Sequence, residues 1–228
     1  MGADGLAHAG EGTTLGTVIA AHIRSVNAGP VVDAAHAGIG RSAIDKRPVG
    51  TAELRAPGSK SGGLGSGVVG DGIADRRDHG GDTQAVYAVA REELDHWAGV
   101  LGRDLPDGMF GENLTTSGLA VDDAVIGSRW HVGDTVVLRV CGPRIPCRTF
   151  AGHMGEARWV KRFTDRGRSG AYLAVQTPGE VRAGNEVVVS GAPGHGIDVR
   201  TTFRALMGDL DAARAVLDAE CLDRAHHA

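Results

Sequence analysis

The chain has 228 residues, of which 42% are hydrophobic, and its formal net charge is -4. A chain of this length can bury a full core, and the small negative charge excludes an overall basic field for nucleic acid or anionic lipid. We expect a tail at residues 1–13, one main domain at 14–199 and a helical extension at 200–228. The tail has too few large apolar groups to offset its ordering entropy, so we expect it to be disordered.

Two features of the composition bear on a possible site: few of the basic residues are lysines, and the number of cysteines is odd. Lysine occurs three times among 24 basic residues, and the arginines suit forked recognition of phosphate or carboxylate, although biased composition explains the pattern equally well. Cys141, Cys147 and Cys221 include no C-x-x-C pair, which argues against a disulfide framework or a structural zinc site and favours a reducing compartment. The sequence shows neither a signal peptide nor the roughly 20 apolar residues of a membrane span. We therefore expect a cytoplasmic protein.

In chain order, β-branched residues predict strands at 14–26 and around 43–54. Residues 57–67 are rich in Gly and Ser and form a loop by composition. Two partial nucleotide-binding motifs occur there. Gly58-Ser59-Lys60-Ser61 lacks the glycines of a phosphate loop, and the G-x-G-x-x-G pattern at 65–70 is not followed by an apolar helical stripe. We predict neither a phosphate loop nor a dinucleotide site.

From residue 85 onward, the sequence predicts short strands and few helices. Apolar residues at helical spacing predict a helix over 91–101, in which Trp97 packs inward, and two short helices in the last thirty residues. Alternation and turn residues predict strands at 85–90, 130–132, 135–140, 171–175 and 186–189, the second and third forming a hairpin around Gly133-Asp134. This pattern favours a closed or nearly closed β-barrel with peripheral helices.

The hairpin's second strand leads into the segment Pro143-Arg144-Ile145-Pro146-Cys147. A free cysteine is more often a small buried apolar residue than a nucleophile or a ligand. Arg144 and Arg148 lie close to Cys147 in sequence, and nearby cations favour the thiolate. Alternation along its strand makes Cys141 a packing residue, and Cys221 lies in the predicted tail helix, so Cys147 is the candidate reactive thiol.

Several short motifs occur in a fixed order along the chain. They are Gly70-Asp71-Gly72, His79-Gly80-Gly81, Phe110-Gly111-Glu112-Asn113-Leu114-Thr115-Thr116-x-Gly118-Leu119, Arg144-x-Pro146-Cys147, Gly170-Ala171-Tyr172-Leu173 and Gly194-His195-Gly196-Ile197. Over residues 14–199 this series resembles the MOSC family, named for the C-terminal domain of molybdenum cofactor sulfurase. The tail resembles the helical extension of the stand-alone bacterial branch. The resemblance implies a β-barrel related to that of pyruvate kinase, which binds the molybdenum cofactor or relays sulfur.

The same resemblance implies roles for particular residues. Cys147 would be the molybdenum ligand, beside the dithiolene of the pterin, and a thiolate suits such a soft metal. Arg144 and Lys46 would contact the phosphate or the pterin. Glu112 and Asn113 would line the pocket, and a turn that caps a strand end is the alternative for this pair.

His79 is the candidate proton donor, with a structural role as the alternative. Three functional interpretations follow. The first is a reductase of N-hydroxylated compounds, with electrons from a separate flavin or iron–sulfur protein. The second is a sulfur carrier with a persulfide on Cys147, and the third is a non-catalytic cofactor carrier. Pyridoxal phosphate is not expected, since it needs a Schiff-base lysine, and we predict no nucleic-acid or membrane partner.

Overall fold

The computed structural model describes residues 21–223, which form a mainly β structure with few helices. The strands are β1 (His22–Ala28), β2 (Val32–Asp33), β3 (Arg41–Ser42), β4 (Arg47–Pro48), β5 (Thr51–Leu54), β6 (Val86–Ala90), β7 (Leu114–Ser117), β8 (Arg129–Val132), β9 (Val136–Pro143), β10 (Ala171–Thr177), β11 (Gly179–Arg182) and β12 (Val187–Ser190). The helices are α1 (Arg91–Leu101), α2 (Arg148–Met154), α3 (Trp159–Arg166), α4 (Val199–Leu206) and α5 (Leu210–Ala219). Two short 3-10 helices cover Asp82–Gln84 and Val121–Asp123. Within the described residues, no helix is long and apolar enough to cross a membrane.

Eight strands form one mixed sheet in the order β12-β8-β9-β10-β6-β7-β1-β4. Only β6 and β7 are parallel within it, and the other pairs are antiparallel. Two small sheets, β11-β5 and β2-β3, complete the strands that the structure describes. The predicted mainly β class is confirmed, whereas the closed barrel is not, because β12 and β4 stand at the two ends of the hydrogen-bonded order.

Strand β6 shows how the sheet separates two hydrophobic regions. All five of its residues are buried. Val86, Ala88 and Ala90 belong to the cluster on one face, whereas Tyr87 and Val89 belong to the cluster on the other. Alternate side chains of a strand point to opposite faces, so a strand with no exposed residue must be covered on both sides.

The second cluster is aromatic and lies between the sheet and the helices. Phe150 of α2 packs its ring against Phe110 and Phe163, with centroids 5.3 and 5.1 Å away. Trp159 and Phe163 of α3 are 1% and 0% exposed. Phe203 of α4 joins the same cluster. The first helix of the C-terminal extension therefore packs on the body of the protein.

Most of the predicted elements are confirmed within residues 21–223. Helix α1 matches the predicted range, Trp97 is 3% exposed, and β8 and β9 form the predicted hairpin. The expected strand around 43–54 is reduced to β4 and β5. Helices α2 and α3 were not predicted. The tail at 1–13 and the first part of the strand at 14–26 lie outside the described residues.

Candidate functional site

A cleft of about 380 Å³ lies where several loops meet the end of β9 and the start of α2. Five of the six residues predicted for the site line it: Lys46, His79, Asn113, Arg144 and Cys147. They come from four separate parts of the sequence. The fold therefore brings together residues that only the order of the motifs had linked.

Cys147 is held at the junction of a strand and a helix. Strand β9 ends at Pro143, and Cys147 is the N-cap of α2, with its carbonyl accepting from the Ala151 N–H at 3.0 Å. Burial raises the pKa of this half-buried thiol. A hydrogen bond with His79, the charge of Arg144 and the Phe150 N–H lower the pKa by more, to about 7. Much of Cys147 is thus thiolate near neutral pH.

His79 lies in the loop before the first 3-10 helix and lines the cleft. Its imidazole lowers the pKa of the Cys147 thiol, and its backbone N–H donates to the Asp75 carbonyl at 3.0 Å. An imidazole in contact with a thiol can exchange a proton with it or with a bound ligand.

Arg144 is 6% exposed and lies between aromatic rings. Its guanidinium carbon is 3.8 Å from the centroid of Phe150 and 5.4 Å from that of Tyr87. Burial lowers the pKa of Arg144, but Tyr87, Tyr172 and Cys147 raise it by more. The guanidinium therefore stays charged. Its buried Nη1 has no hydrogen-bond partner among the described residues. A buried charged donor of this kind can donate a hydrogen bond to an anionic or polar ligand atom.

Lys46 is a cation that is already paired inside the protein. Its Nζ forms an ion pair with Asp71, and the two side chains are 7% and 1% exposed. Burial lowers the pKa of Lys46, and the Asp71 carboxylate opposes that shift. Lys46 lines the cleft but is already paired with Asp71, whereas Arg144 has an open donor. The expected contact of Lys46 with the phosphate or the pterin stays a prediction.

Asp71 connects three parts of the cleft wall. Besides Lys46, it accepts from the Gly29 N–H at 3.0 Å, the Ser66 hydroxyl at 2.8 Å and the Asn113 amide at 3.0 Å. No role was predicted for Asp71, although it is the acid of the Gly70-Asp71-Gly72 motif. A buried carboxylate with four donors is a structural centre of this wall.

Asn113 lines the cleft with an amide whose donors are both used internally. The Nδ2 group donates to Asp71 at 3.0 Å and to the Asn27 carbonyl at 3.3 Å, and Oδ1 accepts from the Tyr87 N–H at 3.1 Å. Both N–H donors of Asn113 are therefore occupied within the protein, so this amide lines the cleft without a free N–H for a ligand.

Glu112 does not line the cleft. It is 0% exposed and accepts from the Gly108 N–H at 2.6 Å, the Phe110 N–H at 2.9 Å and the Thr115 hydroxyl at 2.9 Å. Burial raises its pKa to about 7, against these hydrogen bonds. The expectation that Glu112 lines the pocket is therefore corrected to the alternative, a carboxylate that organises a turn before β7.

No three His, Cys, Asp or Glu side chains within residues 21–223 lie close enough to hold a metal ion by themselves. His36 and His153 face each other with centroids 6.2 Å apart, and neither lines the cleft. A metal in this cleft would therefore have Cys147 as its soft protein ligand.

Comparison with known proteins identifies the family. The model of the MOSC domain matches residues 75–188. YflK of Bacillus subtilis is 34% identical over 135 residues, which cover 59% of this chain and 61% of that protein. A protein named "Reductase" from Gibberella moniliformis is 32% identical over 125 residues, which cover 54% of this chain and 22% of that protein. The chain thus spans under two thirds of these relatives.

A solved structure supports the fold. The crystal structure of YiiM from Geobacillus stearothermophilus superposes with a TM-score of 0.69 at 22% identity, covering 90% of this chain and 94% of that one. At this identity the likeness concerns the fold alone. With the family model matched across β6, the Cys147 segment and β10, the chain belongs to the MOSC domain family.

Proposed function

We propose that this protein binds the molybdenum cofactor through Cys147 and reduces N-hydroxylated compounds. The observation that carries the proposal is the half-buried Cys147 thiol, which lines the cleft together with His79 and whose pKa is lowered to about 7. It lies in the same cleft as the charged guanidinium of Arg144.

The residues present fit this cofactor. The thiolate of Cys147 is a soft ligand of the kind that a soft, redox-active metal prefers. The unpaired Nη1 of Arg144 matches a phosphate or carbonyl oxygen of a pterin cofactor. Residues 21–223 contain no cluster of three potential metal ligands, so the remaining ligands would come from the cofactor's own dithiolene.

When bound, the cofactor would supply the two-electron chemistry that cleaves the N–O bond of the substrate. Overall, an N-hydroxylated compound, two electrons and two protons give the amine and water. In this scheme His79 holds a proton next to Cys147 and can deliver it toward the leaving oxygen. Arg144 orients the anionic part of the ligand, and Asp71 keeps Lys46 and Asn113 in place.

The two electrons require a partner, which we propose to be a separate flavin or iron–sulfur protein. The matched relative from Gibberella moniliformis supports a reductive reaction through its name, and 22% of that protein is covered by the match. Most of that relative therefore lies outside the shared segment.

The test is a metal and pterin analysis of protein expressed in a molybdenum-replete host. We expect about one molybdenum and one pterin per chain in the unaltered protein, and neither in Cys147→Ser. Cys221→Ser is the matched control and should keep both. A folded protein that contains no molybdenum under these conditions contradicts the proposal.

The same thiol supports a second candidate, a sulfur carrier with a persulfide on Cys147. A thiol with a pKa of about 7 supplies a thiolate that can attack the sulfane sulfur of a donor persulfide and displace the donor's thiolate. The persulfide formed on Cys147 can then pass that sulfur to an acceptor thiolate, which releases Cys147. Cyanide-releasable sulfur in protein without molybdenum would favour this function. Molybdenum and pterin without reductase activity toward any hydroxylamine would favour a non-catalytic carrier.

We also propose that the large sheet closes into the expected barrel. Support comes from the backbone between β1 and the start of β12, where the Ile23 N–H donates to the Asn185 carbonyl at 2.8 Å. The Gly184 N–H donates to the Ile23 carbonyl at 2.7 Å, and His22 is bridged to Glu186. The expected domain limits and the cytoplasmic location stay predictions.

A further inference from the structure

The glycine-rich loop at residues 57–67 runs along the segment that carries His79. The Gly81 N–H donates to the Gly65 carbonyl at 3.0 Å, and the Gly67 N–H donates to the Ala85 carbonyl at 2.8 Å. Side chains add two more contacts. The Gly58 N–H donates to Asp82 Oδ1 at 2.8 Å, and Lys60 Nζ donates to the Asp78 carbonyl at 3.4 Å. The loop is thus bonded to residues on both sides of His79.

The contact is close directly after His79. A Cβ at Gly80 would lie 2.8 Å from the Gly65 carbonyl oxygen, and one at Gly81 would lie 2.9 Å from the Lys60 nitrogen. Both glycines have positive φ, of 86° and 81°, in the left-handed region that glycine adopts without steric cost. The two backbones can approach in this way only because neither position carries a side chain.

The glycine-rich loop is itself hydrogen bonded. The Leu64 N–H donates to the Pro57 carbonyl at 2.7 Å, and the Gly63 N–H donates to the Ser59 carbonyl at 2.8 Å. The Ser59 hydroxyl accepts from the Gly62 N–H at 3.2 Å. A loop with its own hydrogen bonds can support a neighbouring segment, whereas a loop without them would not.

We propose that the glycine-rich loop is a positioning element that holds His79 in the cleft that Cys147 also lines. His79 lies in neither a helix nor a strand, and the two residues after it have no side chains to pack. The loop supplies the contacts that fix this backbone. The inference concerns the site of the proposed function, but it needs only that His79 and Cys147 share this cleft and not a bound cofactor.

The test is a double-mutant cycle read out as the alkylation rate of Cys147. Iodoacetamide is applied at pH 7 to cofactor-free protein, and mass spectrometry separates Cys147 from Cys141 and Cys221. We expect Gly81→Ala to lower the rate constant by up to about fivefold, as removal of the imidazole by His79→Gln does. In the His79→Gln background, Gly81→Ala should have no further effect.

Two further variants keep the outcome decisive. Gly62→Ala lies in the same loop, and its Cβ would meet only the Ser59 hydroxyl at 3.4 Å, so the rate constant should not change. Asp82→Ala removes the bond from Gly58 without backbone strain, and it replaces Gly81→Ala if that variant does not fold.

The proposal is overturned if folded Gly81→Ala reacts like the unaltered protein, or if it slows alkylation equally with and without His79. If Gly81→Ala does not fold, an unchanged rate in Asp82→Ala overturns it. A failed molybdenum analysis would leave these rates unaffected, so the two hypotheses fail separately.

Discussion

The guanidinium carbon of Arg144 lies 3.8 Å from the centroid of the Phe150 ring. Phe150 is 0% exposed and packs against Phe110, Trp159 and Phe163. An arginine stacked on an aromatic face is attracted by the ring quadrupole and loses rotamer freedom. The wall of the cleft is therefore continuous with the aromatic core, and the open Nη1 of Arg144 is presented from a fixed side chain.

The first prediction concerns the contact between His79 and Cys147. In cofactor-free protein, the alkylation rate of Cys147 should rise with pH through about 7, the value to which its pKa is lowered. In His79→Gln the midpoint should move upward, since the hydrogen bond to the thiolate is lost. A higher pKa leaves less thiolate at pH 7 but a more nucleophilic one, so the rate should fall by up to about fivefold.

His96→Gln is the control for this change, because His96 is exposed and does not line the cleft. Its pH profile should match that of the unaltered protein. An unshifted midpoint in folded His79→Gln would show that the imidazole does not act on the thiol.

The second prediction concerns the buried pair of Lys46 and Asp71. Lys46→Met leaves the Asp71 carboxylate buried without its cation, so the free energy of unfolding should fall by about 3–5 kcal/mol. Urea denaturation measures this change. Lys46→Met combined with Asp71→Asn should recover part of the loss, because the unpaired charge is then absent. If Lys46→Met is as stable as the unaltered protein, the pair does not hold this wall.

Local periodicity explains which elements could be predicted. The apolar spacing in α1 and the Gly133-Asp134 turn are determined by adjacent residues, and both were found. Helices α2 and α3 carry similar signals, since Phe150 and Met154, and Trp159 and Phe163, are four residues apart. The two helices have only 7 and 8 residues, and one apolar pair at this spacing is too short a pattern to distinguish a helix from a loop.

The site was predictable in its members and not in its contacts. Lys46 and Asp71 are 25 residues apart, and only the folded chain shows that one neutralises the other. Glu112 and Asn113 are neighbours, yet only Asn113 reaches the cleft. A motif gives the identity of such residues. Their partners depend on long-range packing, which cannot be inferred from the residues adjacent in the sequence.

The third prediction uses the raised pKa of Glu112. Burial raises it from 4.5 to about 7, so between these values the folded state binds more protons than the unfolded state. The associated stabilisation is complete below about 4.5 and is lost as the pH rises through about 7. The free energy of unfolding should therefore contain a component that falls with pH in this window, by at most about 1.4 kcal/mol per unit.

Glu112→Gln tests this component. The amide does not titrate, so the slope between pH 5 and 7 should be smaller than in the unaltered protein. The variant should also be less stable throughout. Its NH₂ group replaces a Glu112 oxygen and then faces a backbone N–H that donates to that oxygen in the unaltered protein. Identical slopes in the two proteins would mean that Glu112 is ionised across this range.

The fourth prediction concerns Arg144, a cation of the cleft with an open hydrogen-bond donor. Arg144→Lys keeps a positive charge but loses the forked donor and the stacking on Phe150. Retention of the molybdenum cofactor should weaken by about 1.5–3 kcal/mol, the contribution of a hydrogen bond to a charged group. Equilibrium dialysis and pterin fluorescence measure it. Arg214→Lys is the control, since Arg214 is exposed and does not line the cleft, and equal retention in both variants would contradict the assignment.

The last prediction compares the three cysteines. Cys147→Ser should remove reduction of hydroxylamine-type substrates almost completely. The serine hydroxyl stays protonated near neutral pH, is a hard ligand and accepts no sulfane sulfur. Cys141 is 1% exposed, and burial raises its pKa to about 11. Burial also raises the pKa of Cys221, which packs against the hydrophobic cluster that contains Val86, Ala88 and Ala90. Neither lines the cleft.

Cys221→Ser is therefore the closest control and should keep its activity, whereas Cys141→Ser should keep activity but lose some stability, because it buries a hydroxyl. The melting temperature of Cys147→Ser should change little, since the side chain lies at the cleft surface and serine preserves its shape. Activity assays and thermal denaturation of the three variants show whether each cysteine acts in the functional site or only stabilises the fold. If folded Cys147→Ser keeps most of its activity, both the molybdenum and the persulfide function are wrong. The reaction would then have to use other groups in the cleft.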